Sequence, residues 1–415
     1  MRKIKNAEIL CVGTEILIGD IVNTNASYIS KRLASLGIDQ YHQGVVGDNP
    51  ERLKKFLNEA LQRADMVIMT GGLGPTYDDL TKETAAELMG KKMVLNEECY
   101  NGLKEFFASR NFEMTENNVK QAYMPEGCIV LKNDWGTAPG AILEDEENEK
   151  TAVVLPGPPR EMKPMFEKYV VPYLESMSDD VFVSKNINIF GMGESKVESI
   201  LVDIMRNSDN PTVAPYATDG EVRLRVTAKT KSKDEGERLC SEMIEKLKST
   251  DVGKYIYGID TTLEEALVKK LIKHNKKIAV AESCTGGLVT QKITTVSGAS
   301  AVLDGSVVSY ANEIKSRILG VDESILNTEG AVSEECALQM SAGVRKLMNA
   351  DIGISITGIA GPTGGTPDKP VGTVYIAVST ENGEECRLLT LRNNGREYVR
   401  NVSAKNVLYL ALKSF

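Results

Sequence analysis

Ile278-Ala279-Val280-Ala281-Glu282-Ser283-Cys284-Thr285-Gly286-Gly287 is an apolar run that ends in a turn of small residues and opens onto helix-like sequence. A strand followed directly by a helix is half of a βαβ unit, and repeated units of this kind build a parallel sheet covered by helices on both faces. Sites in such sheets form beyond the carboxyl ends of the strands. Ser283 therefore stands where a hydroxyl meets backbone N–H groups. The chain holds only two histidines, His42 and His274. A serine nucleophile here has to find a base other than histidine, and replacing either histidine is expected to leave the chemistry intact.

The strand–helix rhythm extends outward from this point. After Thr262, strand patterns recur at Ile352, Ile354 and Ile356 and at 374–378, whose nearly continuous apolar run predicts an interior strand. A closing helix is expected over 396–415. The first part of the chain reads the same way. Apolar 7–12 is followed by Ile29, Leu33 and Leu36 at helical spacing, and Asn49-Pro50 predicts an N-cap with proline at N1. Strand 66–70 follows, then strand-like 151–159 and a helix over 160–175. Between these parts, 186–190, a helix with Val197, Ile200, Leu201 and Ile204, the pair 212–217 and 221–230 joined at Asp219-Gly220, and a helix over 233–249 read as a small α+β module. The reading is an α/β chain in three parts: a parallel-sheet domain over 1–175, the module over 176–258, and an α/β domain over 259–415.

Composition bounds the function. A length of 415 residues calls for more than one core, and 42% hydrophobic with 26% charged residues is a globular composition. A net charge of −9 weighs against a nucleic-acid surface, which needs a basic face. The first eight residues lack the apolar run of a signal peptide, and no stretch approaches the roughly 20 apolar residues that span a bilayer. The seven cysteines are scattered without a CxxC pair. They read as reduced thiols, and the cytoplasm is the expected compartment.

Two sets of residues carry chemistry. In the first, Thr70-Gly71-Gly72-Leu73-Gly74-Pro75-Thr76-Tyr77-Asp78-Asp79-Leu80-Thr81 follows a strand. Its glycines allow close approach of backbone N–H groups to an anion, and no lysine makes it a Walker loop. Asp78 and Asp79 suit a divalent ion or, more simply, a helix cap. The loop after the first strand, Gly13-Thr14-Glu15 with Gly19-Asp20 and Asn23-Thr24-Asn25, is expected at the same sheet edge.

The second set is Glu282–Gly287, Ser309-Tyr310-Ala311-Asn312-Glu313-Ile314-Lys315, the glycine-rich 357–365, and Gly395-Arg396-Glu397-Tyr398-Val399-Arg400. Lys315, on a loop after strand-like 307–310, is the candidate base for Ser283, provided that its pKa falls by about three units. Cys284 is the stronger intrinsic nucleophile, but a cysteine beside glycines is usually a small buried residue. Loop 357–365, with Gly361, Thr363 and Gly364, either cradles a phosphate or simply turns. Arg396 and Arg400 share a helix face, where they suit a phosphate; an ion pair of Arg400 with Glu397 is the alternative.

Taken together, these blocks resemble the competence/damage-inducible CinA family along the whole chain. The N-terminal part, with Leu155-Pro156-Gly157-Pro158-Pro159 added, is similar to molybdopterin-binding domains of the MoaB/MogA type, and the C-terminal part to nicotinamide mononucleotide (NMN) deamidases. The resemblance implies metal-dependent ADP-ribose pyrophosphatase activity in the first domain. Mg, Mn or Co would be held near Asp20, Asp78 or Asp79, with Asp79 catalytic, and Thr14, Asn25, Gly71, Gly72 and Gly74 would contact substrate. It implies amide hydrolysis of NMN in the last domain, with no cofactor. There Ser283 matches the nucleophile, Tyr310, Lys315 and Thr357 match its partner positions, Thr285, Gly286 and Gly287 lie at the oxyanion, and either Arg396 or Arg400 matches a substrate-binding arginine. A KH-like middle module and a homodimer are implied as well. Leu73 stands where the pterin enzymes carry threonine, which weighs against a pterin; Gly191-Met192-Gly193 is no GXXG clamp, which weighs against RNA. The resemblance leaves open two other readings, nucleotidyl transfer to a pterin and a non-enzymatic partner role in competence or DNA damage.

Overall fold

The computed structural model describes residues 3–177, 180–218 and 220–415. Asp219 of the expected turn, and Met1 and Arg2 of the N-terminal stretch read above, lie outside them. The chain forms two compact units, Met1–Ser184 with Thr227–Leu239, and Lys185–Val226 with Cys240–Phe415.

The first unit is built on a six-stranded sheet. Its order is Gln43–Val46, Ala7–Val12, Met66–Thr70, Lys150–Leu155, Gly140–Asp145 and Ile129–Leu131. The first four strands are parallel, as the rhythm of strand and helix requires. Gly140–Asp145 runs opposite to both of its neighbours, Lys150–Leu155 and Ile129–Leu131, an antiparallel addition to the expected parallel sheet. The reason is connection length. Only Glu146-Glu147-Asn148-Glu149 separates Gly140–Asp145 from Lys150–Leu155, and a parallel crossover needs roughly a dozen residues. Helix Pro50–Arg63 begins as predicted: Asn49 Oδ1 accepts the Arg52 N–H at 3.0 Å, and Leu53, Leu57 and Ala60 are buried. The expected cap of the next helix does not form. Helix Thr81–Leu88 starts after Leu80 with no side-chain cap, which frees Asp78 and Asp79 for the loop before it.

The middle module contains the long strands Val181–Phe190 and Glu221–Thr230, the strands Thr212–Thr218 and Ile256–Ile259, and helices Glu194–Arg206 and Lys233–Lys248. Val222, Leu224, Val226 and Ala228 alternate inward, the period-two pattern of a half-buried strand.

The second unit carries a five-stranded sheet of order Leu303–Val308, Ile278–Glu282, Ile352–Gly358, Thr373–Thr380 and Gly383–Thr390. The first three strands are parallel, and Thr373–Thr380 runs opposite to both of its neighbours, Ile352–Gly358 and Gly383–Thr390. Thr373–Thr380 is interior, as its apolar run predicts. The edge strand Gly383–Thr390 has no apolar signature: Glu384, Glu385 and Arg387 are charged and Leu388 is exposed, features that protect an edge from further pairing. Along Ile278–Glu282, Ile278 and Val280 pack with Val399, Val407 and Leu408 of helix Arg396–Lys413. Ala279 and Ala281 pack on the other face with Cys336, Met340 and Val344 of helix Glu334–Leu347. With both faces covered, only the carboxyl end of this strand opens toward a site.

Candidate active sites

Ser283 follows the last residue of its strand, and Gly286 and Gly287 both take positive φ in the turn after it. The turn is held by Glu282, whose carboxylate is fully buried. It accepts the N–H groups of Gly287 (2.9 Å), Val289 (3.1 Å) and Thr290 (2.8 Å), and the Thr290 hydroxyl (2.7 Å). Those are donors that a helix N-terminus leaves unpaired. The Gly286 N–H is also spent, on the Ser283 carbonyl at 3.1 Å. Among the described residues no acceptor takes the N–H of Cys284 or Thr285. Of Thr285, Gly286 and Gly287, expected at the oxyanion, only Thr285 thus keeps an N–H without an acceptor, and Cys284 joins it.

Lys315 sits in the first half of helix Asn312–Leu319, not on the expected loop. It is 1% exposed, and its Nζ donates to Ser283 Oγ at 3.1 Å and to the Ser309 carbonyl at 2.6 Å. Burial pushes its pKa below the usual lysine range. An amine in hydrogen-bond reach of the hydroxyl, and poorly solvated as a cation, is equipped to take the hydroxyl proton. Burial pushes the Cys284 thiol up to about 12, so the neighbouring sulfur stays protonated and unreactive.

The remaining candidates flank this pair. Arg396 donates to the Gly361 carbonyl (2.9 Å) and to the Tyr310 hydroxyl (3.1 Å). Arg400 donates to the Thr285 carbonyl at 2.6 Å, in place of an ion pair with Glu397. Both guanidiniums are thus bound to loops that border Ser283. Tyr310, Thr363 and Gly364 are exposed, so the rim is open. Thr357 is buried, and its hydroxyl is committed to the Ala331 carbonyl at 2.7 Å. Neither histidine enters: His42 is exposed beside strand Gln43–Val46, and His274 packs edge-on against Phe415.

The N-terminal candidates border a cavity of about 580 Å³. Asn25, Gly71, Gly72, Gly74, Asp78 and Asp79 line it. Gly71 has φ +104°, and a Cβ there would fall 2.0 Å from the Val12 carbonyl oxygen, so only glycine lets the loop lie this close to the first strand. Asn25 Nδ2 bridges Thr70 Oγ1 (2.9 Å) and the Gly157 carbonyl (2.7 Å). Its Oδ1, and Oε1 of the buried Gln121, are buried acceptors without a partner among the described residues. They suit hydroxyl or amino groups of a ligand. Thr14 lies behind the lining, its hydroxyl on Asp48 at 2.8 Å.

The carboxylates divide. Asp79 Oδ2 accepts the Thr76 N–H at 3.0 Å and the Thr76 hydroxyl, while Lys120 grips the same loop through the Thr76 (2.9 Å) and Asp79 (2.5 Å) carbonyls. Asp20 is exposed and is not part of the cavity lining. Among the described residues no three His, Cys, Asp or Glu side chains converge as a metal cage. Asp78 and Asp79 do fit an ion that arrives with phosphates, because magnesium-type sites take only one or two protein carboxylates and fill the rest from substrate and water. Asp48, Lys120, Gln121 and Glu161 join this site from segments with no motif; only spatial proximity reveals them.

The chain matches three family models end to end: "Probable molybdopterin binding domain" over 8–176, "Damage-inducible protein CinA KH domain" over 184–258, and "CinA C-terminal domain" over 260–415. The CinA-like protein of Dictyoglomus turgidum is 52% identical over 395 residues, covering 94% of this chain and 95% of that one. The CinA-like protein of Kosmotoga olearia is 50% identical over 399 residues, 96% of each. A solved structure, the competence/damage-inducible protein CihA of Agrobacterium tumefaciens, is 36% identical over 36% of this chain and 94% of that one, with a TM-score of 0.35. No helix among the described residues is long and apolar enough to cross a membrane. A MoaB/MogA-like domain, a KH-like module and a CinA C-terminal domain in this order, with relatives that match along nearly the full length, mean that the chain belongs to the CinA family.

Proposed function

We propose that the C-terminal site hydrolyses the carboxamide of nicotinamide mononucleotide to nicotinate mononucleotide and ammonia. The observation that carries this reading is the buried Lys315 amine at 3.1 Å from Ser283 Oγ, in a site with no histidine. Ser283 Oγ bonds to the amide carbon as Lys315 takes its proton. The oxyanion rests on the N–H groups of Cys284 and Thr285, donors of a kind worth about 3–4 kcal/mol each in a serine protease. The C–N bond then breaks, and the proton on Lys315 leaves with ammonia. Water attacks the acyl-enzyme, Lys315 accepts its proton and returns it to Ser283, and the carboxylate departs. Arg396, beside Gly361 and Tyr310, and Arg400, on the Thr285 carbonyl, are the cations available to a 5′-phosphate.

The N-terminal site is read as a metal-dependent ADP-ribose pyrophosphatase that yields AMP and ribose 5-phosphate. The support is a cavity whose glycine loop and two adjacent carboxylates open on one sheet edge. A divalent ion held by Asp78 and Asp79 would neutralise phosphate charge and lower the pKa of a bound water. This chain's part is to keep Asp79 oriented through Thr76 and to hold the loop through Lys120.

The test is direct. Incubating the full chain with NMN should release ammonia, and Ser283→Ala should stop that release while NMN still binds. Full activity in Ser283→Ala would end the amidase reading. Incubation with ADP-ribose and a divalent ion should release AMP, and chelation should stop it.

A further inference from the structure

The glycine-loop cavity has a neighbour that neither proposed reaction uses. A second cavity of about 440 Å³ is walled by Phe106, Arg110, Trp135, Arg160 and Glu161. Thr137 and Glu161 border both spaces. An exposed tryptophan alone is ordinary surface, and so is a surface arginine. Three features set this corner apart. Trp135 is 39% exposed and stands at the cavity wall. The Arg110 guanidinium lies 3.6 Å over the Phe106 ring, which gives a second flat wall with a cation on it. Glu161, only 7% exposed, stands between the two cavities.

Glu161 is built into that place. Asn133 donates to its Oε2 at 2.9 Å, and Arg160 stays 3.8 Å from its Oε1. A Cβ on Gly136 would fall 2.0 Å from Oε2, so the carboxylate occupies space that only glycine leaves. A buried carboxylate with acceptor capacity to spare is suited to the paired hydroxyls of a ribose.

We propose that this corner is a nucleoside subsite: the heterocyclic base of a nucleotide stacks on Trp135 in the second cavity, its ribose hydroxyls donate to Glu161, and its phosphates lie on the glycine loop. The order base, ribose, phosphate follows the order of aromatic wall, carboxylate and glycine loop. The proposal rests on the reading of the first site as a nucleotide hydrolase, and it assigns the specificity end of that substrate. Bases stack on aromatic rings and on guanidinium planes without needing a sequence-specific edge contact, so the subsite should favour an aromatic base over none.

Trp135 is the only tryptophan in the chain, so the full-length protein reports on this corner without a label. AMP should quench its fluorescence; ribose 5-phosphate, which lacks a base, should not. By calorimetry, Trp135→Ala should weaken AMP binding about tenfold or more and leave ribose 5-phosphate unchanged, while Trp135→Phe keeps most of the affinity. Glu161→Gln should weaken AMP but not 2′,3′-dideoxy-AMP. AMP that binds without quenching, AMP that fails to bind, or unchanged AMP affinity in Trp135→Ala would overturn the subsite. ADP-ribose cleavage measured on the same preparation separates the two claims. Cleavage without quenching removes the subsite and keeps the hydrolase; quenching without cleavage keeps the subsite and removes the hydrolase.

Discussion

The Lys315 ammonium lies closer to the Ser309 carbonyl, at 2.6 Å, than to the Ser283 hydroxyl, at 3.1 Å. The carbonyl fixes the amine in place whatever its charge, and the hydroxyl is the group that changes partner during reaction. Position and reactivity are thus assigned to different acceptors.

Lys315→Met should lower kcat for ammonia release by at least about 100-fold, the lower range for loss of a general base. Lys315→Arg should fail as well, because a guanidinium does not give up its proton. In the parent protein the neutral amine is the active form. Rate should therefore rise with pH until Lys315 is deprotonated, and burial places that rising limb below the ordinary lysine range. A pH–kcat profile that stays flat across the neutral and alkaline range would exclude lysine as the base.

Cys284→Ala should retain most activity. With its thiol at about 12 and nearly buried, Cys284 should resist iodoacetamide at pH 7, as followed by mass spectrometry of the 284-containing peptide.

Glu282→Ala should cost stability as well as rate. It strips the partner from three main-chain N–H groups and the Thr290 hydroxyl, and even part of that loss comes to about 3 kcal/mol. Urea unfolding measures the first effect. Glu282→Gln, which keeps one acceptor oxygen, should fall between the two proteins.

Lys82 makes a stability prediction with a definite sign. Its Nζ is buried with the Gln121 carbonyl at 3.0 Å, and burial holds its pKa down to about 8. The unfolded amine titrates near about 10.4. Between those values the unfolded chain keeps a proton that the folded chain lacks, so stability rises as pH climbs from about 8 toward 10. Lys82→Met should flatten that rise and stabilise the first unit at neutral pH by up to about 3 kcal/mol, less the lost hydrogen bond. Urea titrations at two pH values test it.

Asp79→Ala should abolish metal-dependent AMP release from ADP-ribose. It also removes the acceptor that turns Thr76, so Asp79→Asn is the control for loop shape. Full AMP release in both variants would count against Asp79.

The sequence revealed elements whose signals are local. Asn49-Pro50 marked a helix start that the structure reproduces, and the apolar run around 374–378 marked an interior strand. Ser283 was legible because it directly follows a strand, and Lys315 because a chain with two histidines leaves lysine as the candidate base, although Lys315 stands on a helix and not on the expected loop. What escaped depends on distance. Antiparallel Gly140–Asp145 followed from a short connection, and the edge strand Gly383–Thr390 had charges where a pattern would be. Lys120, Gln121 and Glu161 reach the first site through the fold alone. Asp20, adjacent to a promising glycine, is exposed and is not part of the lining, although Ile16 and Ile21 on either side of it are.

Asn25 has a consequence for how this fold can vary. One amide joins Thr70 to Gly157, residues 87 positions apart along the chain, and so ties together the ends of two strands that the sheet already pairs. The long excursion between those residues is relieved of that duty. Changes of length at the turn near Gly127, away from the lining residues of 71–79, Gln121, Thr137 and Ala138, should leave the mouth of the cavity unchanged, whereas one substitution at Asn25 should loosen it. Tolerance to change in loop length is written into a strand pair and the one side chain that clasps its open end.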